Sequence, residues 1–260
     1  MYDAAQQFHE ATKLHQDAIA NARRTAADIT EPPTVQVKRY SRFPRRKLPP
    51  PLPNACRLFD LLPVRRSRRD FNDQPLSPVL LSTLLYYSAG FTHDTHDEDK
   101  GPPGRRMYPS AGGCYPLEIY LLALRGQEEM PQGLYHFNPA DHSLEELCRG
   151  DFGQEADKIV LSEWALQAPV LLFITAVSHR TMGRYGLRGY RHILNEIGYL
   201  GENVYLVSEA LGLACCAIGG FDDDRAGRLL GLKGREEAVM AIFAIGHRGD
   251  GRWGGCGKTY

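Results

Sequence analysis

Four guanidinium groups and a hydroxyl fall within five residues at Arg65-Arg66-Ser67-Arg68-Arg69. Arginine forks match phosphate oxygens two at a time, and a serine adds a hydroxyl and a backbone donor to the same oxygens, so the run reads as a phosphate site. Alone it reads as well as a solvated basic loop, because charge runs are commonly surface. Further on, Tyr108-Pro109-Ser110-Ala111-Gly112-Gly113-Cys114-Tyr115-Pro116 sets small residues between aromatic and proline brackets. Backbone there can approach a flat ligand closely while its NH groups stay available. A Gly-Gly dipeptide by itself signals only a tight turn before a strand. Ile218-Gly219-Gly220-Phe221-Asp222 again offers bare backbone after an apolar stretch, and singly it too is a turn.

Together and in this order, the three segments resemble the nitroreductase superfamily of FMN-dependent oxidoreductases. Within it the sequence is most similar to the SagB-type dehydrogenases, which oxidise azoline rings to azoles in thiazole/oxazole-modified peptides. Phe8-His9-Glu10-Ala11-Thr12-Lys13 and Gly186-Leu187-Arg188-Gly189-Tyr190-Arg191 fit that subgroup, so the resemblance runs from about Phe8 to Gly246. It implies an α+β fold with helices around a mixed central sheet, and an obligate homodimer holding FMN at the interface. It implies that Arg65, Ser67 and Arg69, with Arg66 in the same run, grip the FMN phosphate and ribityl oxygens. Pro109, Ser110, Ala111 and Gly113 line the flavin from the partner subunit. Gly219 and Gly220, following Ile218, turn backbone NH groups toward the flavin N5 edge, and Arg248 returns to the phosphate. A cyclodehydratase and a precursor peptide are the implied partners.

The resembled dehydrogenases carry a Lys-Tyr pair just ahead of the Gly-x-Arg-Gly-Tyr-Arg stretch, whereas this chain has Arg184-Tyr185. Arginine stays protonated in proteins and cannot replace lysine as a base. Tyr185 then becomes the proton acceptor, with Arg184 placed to stabilise its phenolate. The alternative is a half-buried aromatic beside a surface charge. Glu196 and Asn203 are polar residues on an otherwise apolar helical segment, seven apart and so on about the same face. They face a pocket, or they bond neighbouring backbone or stabilise the dimer. His192 is a candidate acid or base, and Cys215-Cys216 read as packing residues. Three readings follow: oxidation of azolines in a peptide, NAD(P)H-dependent reduction of nitro or quinone compounds, or a non-catalytic flavin-binding scaffold subunit.

These residues must be positioned by mixed α and β elements. Residues from about Tyr2 to Ala27 lack Gly and Pro and favour a helix, and Glu31 to Pro53 is a proline-rich linker or surface-wrapping arm. Helices are expected at Cys56 to Leu62, at Ser77 to Ser88 with Ser77 as N-cap and Pro78 at the first position, at Tyr190 to Leu211 closed by Gly212, and around Arg225 to Leu230. Strands are expected at Leu117 to Leu124, Leu134 to Phe137, His142 to Leu147, Val170 to Val177, Ala214 to Ile218 and Val239 to Ile245. The chain divides into an arm (1–53), an FMN-binding domain (54–248) and a flexible glycine-rich tail (249–260). With 31 basic and 31 acidic residues it has no chain-wide field suited to nucleic acid. The six cysteines form no CxxC pair or metal spacing and read as reduced thiols, so no metal is expected. No basic-then-apolar leader and no membrane-length apolar run is visible, and the expected location is the cytoplasm. Gly257-Lys258-Thr259 lacks the surroundings of a phosphate-binding motif and reads as a chance match.

Overall fold

The computed structural model describes residues 2–13, 36–53, 56–92, 104–234 and 236–249. The six expected strands form: β2 (Leu117–Ala123), β3 (Gly133–Asn138), β4 (Ser143–Arg149), β5 (Val170–Val177), β6 (Leu213–Ile218) and β7 (Glu237–His247). A seventh, β1 (Arg45–Lys47), precedes them, and the sheet order is β1-β4-β3-β2-β5-β7-β6. The expected mixed sheet is corrected here, because every ladder is antiparallel. The reason lies in the last strand: β5 and β6 run the same way, and β7 inserts between them, replacing one parallel pairing by two antiparallel ones.

Alternation along β5 shows why this sheet needs helices on both faces. Val170, Leu172, Ile174 and Ala176 enter one core cluster, and Leu171 and Phe173 enter the other. The first cluster is covered by α3 (Pro78–Ala89) and α6 (Arg188–Ala210), through Leu81, Leu84, Leu85, Ile193, Leu200 and Val204. The second is covered by α4 (Gly153–Ile159) and α7 (Asp223–Leu229), through Ala156, Ile159 and Ala226. Two short helices, α2 (Leu58–Leu61) and α5 (His179–Tyr185), complete the body, so the architecture is α+β.

Capping follows the sequence closely. Ser77 accepts from the Leu80 NH at 3.4 Å with Pro78 in the first turn, and Asp222 accepts from the Arg225 NH at 2.9 Å at the head of α7. Because this first bond is long, Ser77→Ala is expected to cost about 0.5 kcal/mol, read as a shift in urea midpoint at unchanged slope. Gly212, at φ +70°, ends α6 and donates to Glu209 O.

The first helix, α1 (Tyr2–Ala11), is shorter than expected. It turns at Thr12, whose hydroxyl donates to Phe8 O, and the rest of that expected helix lies outside the described residues. The described part of the proline-rich arm packs on the body and supplies β1 at the sheet edge. Pro44 O accepts from the Glu146 NH, and its missing NH is tolerated beside an edge strand, which pairs on one side only. The tail from residue 250, with Cys256, also lies outside the described residues. Cys114, Cys148, Cys215 and Cys216 are free thiols.

Under the arm lies a buried polar network. His136 Nδ1 lies 2.8 Å from Glu145 and its Nε2 lies 3.3 Å from Glu118, which also pairs with Arg180 at 2.6 Å. Lys38, from the arm, donates to Tyr120 and Glu237, and the Tyr40 NH donates to Glu145.

Candidate functional site

Helix α6 ties the sequence motifs together. Tyr205 Oη accepts from the Ala217 NH at 2.8 Å and lies 3.2 Å from Ser67 Oγ, while the Arg65 guanidinium sits over its ring at 5.2 Å. Glu202 pairs with Arg65 at 3.8 Å, and Glu209 meets both Arg68 at 3.4 Å and Arg248 at 2.8 Å. The arginine run is laid along the free edge of β6, where the Arg68 NH donates to Cys215 O. The Gly219-Gly220 turn leaves the end of the same strand, so the structure does bring these two segments together.

Arg66, Ser67 and Arg69 are exposed. Arg66 donates only to its own loop carbonyls, and Arg69 lies over the Trp164 ring at 5.5 Å. Among the described residues neither is paired with a carboxylate, so both guanidinium groups can meet a phosphate. A Cβ built at Gly219 meets nothing within 4 Å, which leaves the backbone edge open to a flat group. Ile218 is buried in the core and offers only backbone. Arg248 departs from expectation: it is buried, held by Glu209 and by Leu213 O, because it follows β7 directly into the core beneath the arginine run. It supports that run from below through the shared Glu209.

The second half of the site is the Pro109 to Gly113 loop. Gly112 and Gly113 take φ of +61° and +68° in a tight turn, and the Gly113 NH donates to Ser110 O, so that donor is already used within the loop. Pro109 is exposed, and Ser110 and Ala111 are half-buried. The Tyr185 hydroxyl occupies the place a side chain at Gly112 would take, with Arg184 Nε 3.2 Å from it. Arg184 is exposed and its guanidinium lies 5.7 Å from the Tyr185 ring centre, and His192 packs edge-on against that ring at 5.0 Å. The structure therefore unites Tyr185 and Arg184 with the glycine loop, across more than 70 residues of chain.

Ser110 Oγ donates to Glu196 at 2.7 Å and accepts from the Tyr115 NH at 2.8 Å. Burial pushes the Glu196 carboxyl up to about 7, against the opposing pull of Ser110 and Arg106. Asn203 instead donates to the Ser88 and Met107 carbonyls and is structural. Cys215 is buried, and desolvation raises its thiol far above the ordinary range, as befits a packing residue.

The two halves are anchored nine residues apart on α6, at Glu196 and Tyr205. Nine residues are about two and a half turns and 13.5 Å of helix, so the halves attach to opposite sides of it. Tyr205 and Glu209 escaped the reading of the sequence because a tyrosine among Val204, Leu206 and Val207 looks like core, and Glu209 looks like a surface charge.

The nitroreductase family model matches residues 63–247. The nitroreductase-named protein MJ1384 of Methanocaldococcus jannaschii is 34% identical over 193 residues, which span 74% of this chain and 91% of that protein. The microcin B17-processing protein McbC of Escherichia coli is 27% identical over 157 residues, 56% of each, so the chain spans little more than half of that relative. In shape, the chain is similar to the E. coli microcin synthetase McbBCD complex with truncated pro-MccB17 bound, at TM-score 0.59 and 22% identity, covering 92% of this chain and 85% of that one. With the arginine run, the glycine loop, Tyr185 and the Gly-Gly turn all inside the matched span, the chain belongs to the nitroreductase family and is an oxidoreductase of that family.

Proposed function

We propose that this chain is an FMN-dependent dehydrogenase that oxidises azoline rings in a peptide natural product to azoles, working as a homodimer. The observation that carries this reading is the pair of half-sites on opposite sides of α6, with the Tyr185 hydroxyl seated in the glycine loop of one half. A second copy related by a two-fold axis can set its loop half against the arginine half of the first. Arg65, Arg66, Ser67 and Arg69 then hold the FMN phosphate and ribityl oxygens. The backbone at Ile218, Gly219 and Gly220 borders the flavin, and Pro109, Ser110, Ala111 and Gly113 of the second copy cover it.

When bound, FMN supplies hydride acceptance, and an external acceptor such as oxygen restores it. Tyr185 takes the proton from the azoline carbon, and Arg184 beside its ring stabilises the phenolate. The name of the relative McbC, a peptide-processing protein, supports a peptide-borne substrate, with a cyclodehydratase and a precursor peptide as partners. A second reading, NAD(P)H-dependent reduction of nitro or quinone compounds, is supported by the nitroreductase name of the relative MJ1384, while Arg184 standing where the resembled dehydrogenases have lysine supports a non-catalytic scaffold subunit.

The test is the visible spectrum of the purified protein, followed by anaerobic addition of a model azoline peptide, NADH or NADPH. Bleaching by the azoline peptide alone is the expected result. Bleaching only by a nicotinamide transfers the assignment to the reductase, flavin unmoved by all three points to a scaffold subunit, and a chain that takes up no FMN rejects all three readings. Arg69→Ala removes one charge-assisted contact and is expected to weaken FMN binding about tenfold or more, measured by flavin fluorescence titration.

A further inference from the structure

Behind the glycine loop lies a group of buried polar atoms that the reading above leaves unused. Glu196 is 1% exposed, and while its Oε2 accepts from Ser110, its Oε1 has no partner among the described residues. The same is true of Tyr108 Oη and of Nε and Nη2 of Arg106, a guanidinium 5% exposed between the rings of Phe91 and Tyr115. These residues act on one another electrostatically: Arg106 favours ionisation of both Glu196 and Tyr108, and Glu196 opposes that of Tyr108 and of the Cys114 thiol, on which Arg184 also acts. On α6 itself, His192 stands one turn before Glu196. Buried polar atoms left open in this way are rare in proteins and mark ordered water or a functional role.

Ser110 is the link between this group and the surface. Its hydroxyl is half-buried at the loop, accepts one hydrogen bond from the Tyr115 NH and gives its own proton to Glu196. A hydroxyl has two lone pairs, so one acceptor position remains. Resting on the dehydrogenase reading, we propose that Glu196 is a proton store for the candidate site, acting through Ser110, whose hydroxyl relays protons between the loop surface and the buried carboxylate. As a proton arrives at Ser110 Oγ, the serine's own proton passes to Glu196 Oε2. The serine ends neutral, the carboxylate ends as the neutral acid, no electrons move, and the reverse step returns the proton. Glu196 is thus a positioning residue for protons and touches no substrate. Its carboxyl, raised to about 7 by burial, can change charge in the neutral range where an ordinary glutamate cannot.

Two measurements test this on wild type, Glu196→Gln, Ser110→Ala and Ser110→Thr. The first is a carbon-13 NMR titration of labelled glutamate carboxyls in the flavin-free chain, with Glu196→Gln identifying the resonance. Glu196 is expected to titrate near 7, and higher in Ser110→Ala, because the Ser110 hydrogen bond favours the ionised form. The second is the pH profile of flavin reduction by substrate in stopped flow, with flavin content checked for every variant. Wild type and Ser110→Thr are expected to speed up through an inflection near 7, whereas Glu196→Gln and Ser110→Ala are flat and about tenfold or more slower on the alkaline side. Titration of Glu196 in the ordinary carboxylate range, or an inflection that survives in Glu196→Gln, overturns the relay. Failure of the parent reading shows separately, as a chain without flavin or a bound flavin that the azoline peptide does not bleach, while the NMR result still reports the carboxyl.

Discussion

Tyr185→Phe is expected to slow substrate-driven flavin reduction by about 10²- to 10⁴-fold, the span associated with loss of a positioned acid or base. The substitution removes one oxygen and leaves the ring, with its edge contact to His192 at 5.0 Å and the neighbouring Arg184. Flavin absorbance and thermal stability should therefore stay close to wild type. Gly112→Ala reaches the same hydroxyl from the other side, since a methyl at φ +61° is strained and would overlap Tyr185 Oη. It is expected to lose activity comparably and some stability as well. A Tyr185→Phe chain with a wild-type rate would sink the assignment of the proton to this residue.

The same variant tests whether two copies share the site. At FMN concentrations that fill the wild-type site but not the weakened one, Arg69→Ala and Tyr185→Phe disable different halves. If each site joins the arginine half of one copy to the loop half of another, a mixed dimer holds one intact site and one doubly damaged site. Co-refolding the two variants is then expected to restore about a quarter of wild-type activity, since about half of the dimers are mixed and each has one of two sites intact. Halves that met within one chain would give no recovery on mixing.

His136→Leu is expected to destabilise the protein by roughly 3–5 kcal/mol, the range for breaking a buried charged cluster by removing one partner. The imidazole sits fully buried between Glu118 and Glu145, and without it two carboxylates face each other, with Arg180 left beside Glu118 and the Tyr40 NH beside Glu145. Burial alone would lower the His136 pKa, but its hydrogen bonds to Glu118 and then Glu145 outweigh that and raise it above 6.5. Burial would likewise raise Glu118, yet the His136 hydrogen bond and the Arg180 charge hold it down to about 2. The histidine's contribution is complete below pH 6.5 and is lost as pH rises through its raised value, while that of Glu118 is complete above pH 4.5 and is lost as pH falls toward 2. In His136→Leu the alkaline loss should vanish from a plot of denaturation midpoint against pH. Glu196, raised from 4.5 to about 7, adds a separate decline across that interval, so the comparison is cleanest in a Glu196→Gln background. Unchanged stability in His136→Leu would mean that the cluster contributes nothing net.

Local pattern carried much of this fold. Val170 to Val177 and Leu117 to Ala123 are buried at every step, and apolar but for Thr175, Glu118 and the Tyr120 hydroxyl, because both sheet faces are covered, and a run of that kind announces a central strand without any partner in view. Ser77-Pro78 and Gly212 mark helix ends locally, Ser77 through its side-chain oxygen, Pro78 through its fixed φ and Gly212 through its positive φ. The three-residue β1 had no such signature, because an edge strand rich in arginine and flanked by proline is made by its partner β4. Ladder direction was hidden for the same reason: β7 joins β5 and β6 by pairings far apart in the chain, and no local period encodes them.

In the site, the sequence by itself determined which residue types were on hand, namely guanidinium groups for a phosphate, bare glycine backbone for a flat ligand, and an Arg-Tyr pair in place of Lys-Tyr. Those are properties of single side chains and short segments. Only the tertiary structure decided how they are shared out. It turned Arg248 inward to Glu209, made Tyr205 the tie between Ser67 and Ala217, set the Tyr185 hydroxyl against Gly112, and buried Glu196 behind Ser110. Each of these joins residues apart in sequence; the Tyr185 contact comes from the end of α5, and the others depend on the turn of α6 at which Glu196, Tyr205 or Glu209 falls, a geometry that exists only once the helix has packed on the sheet.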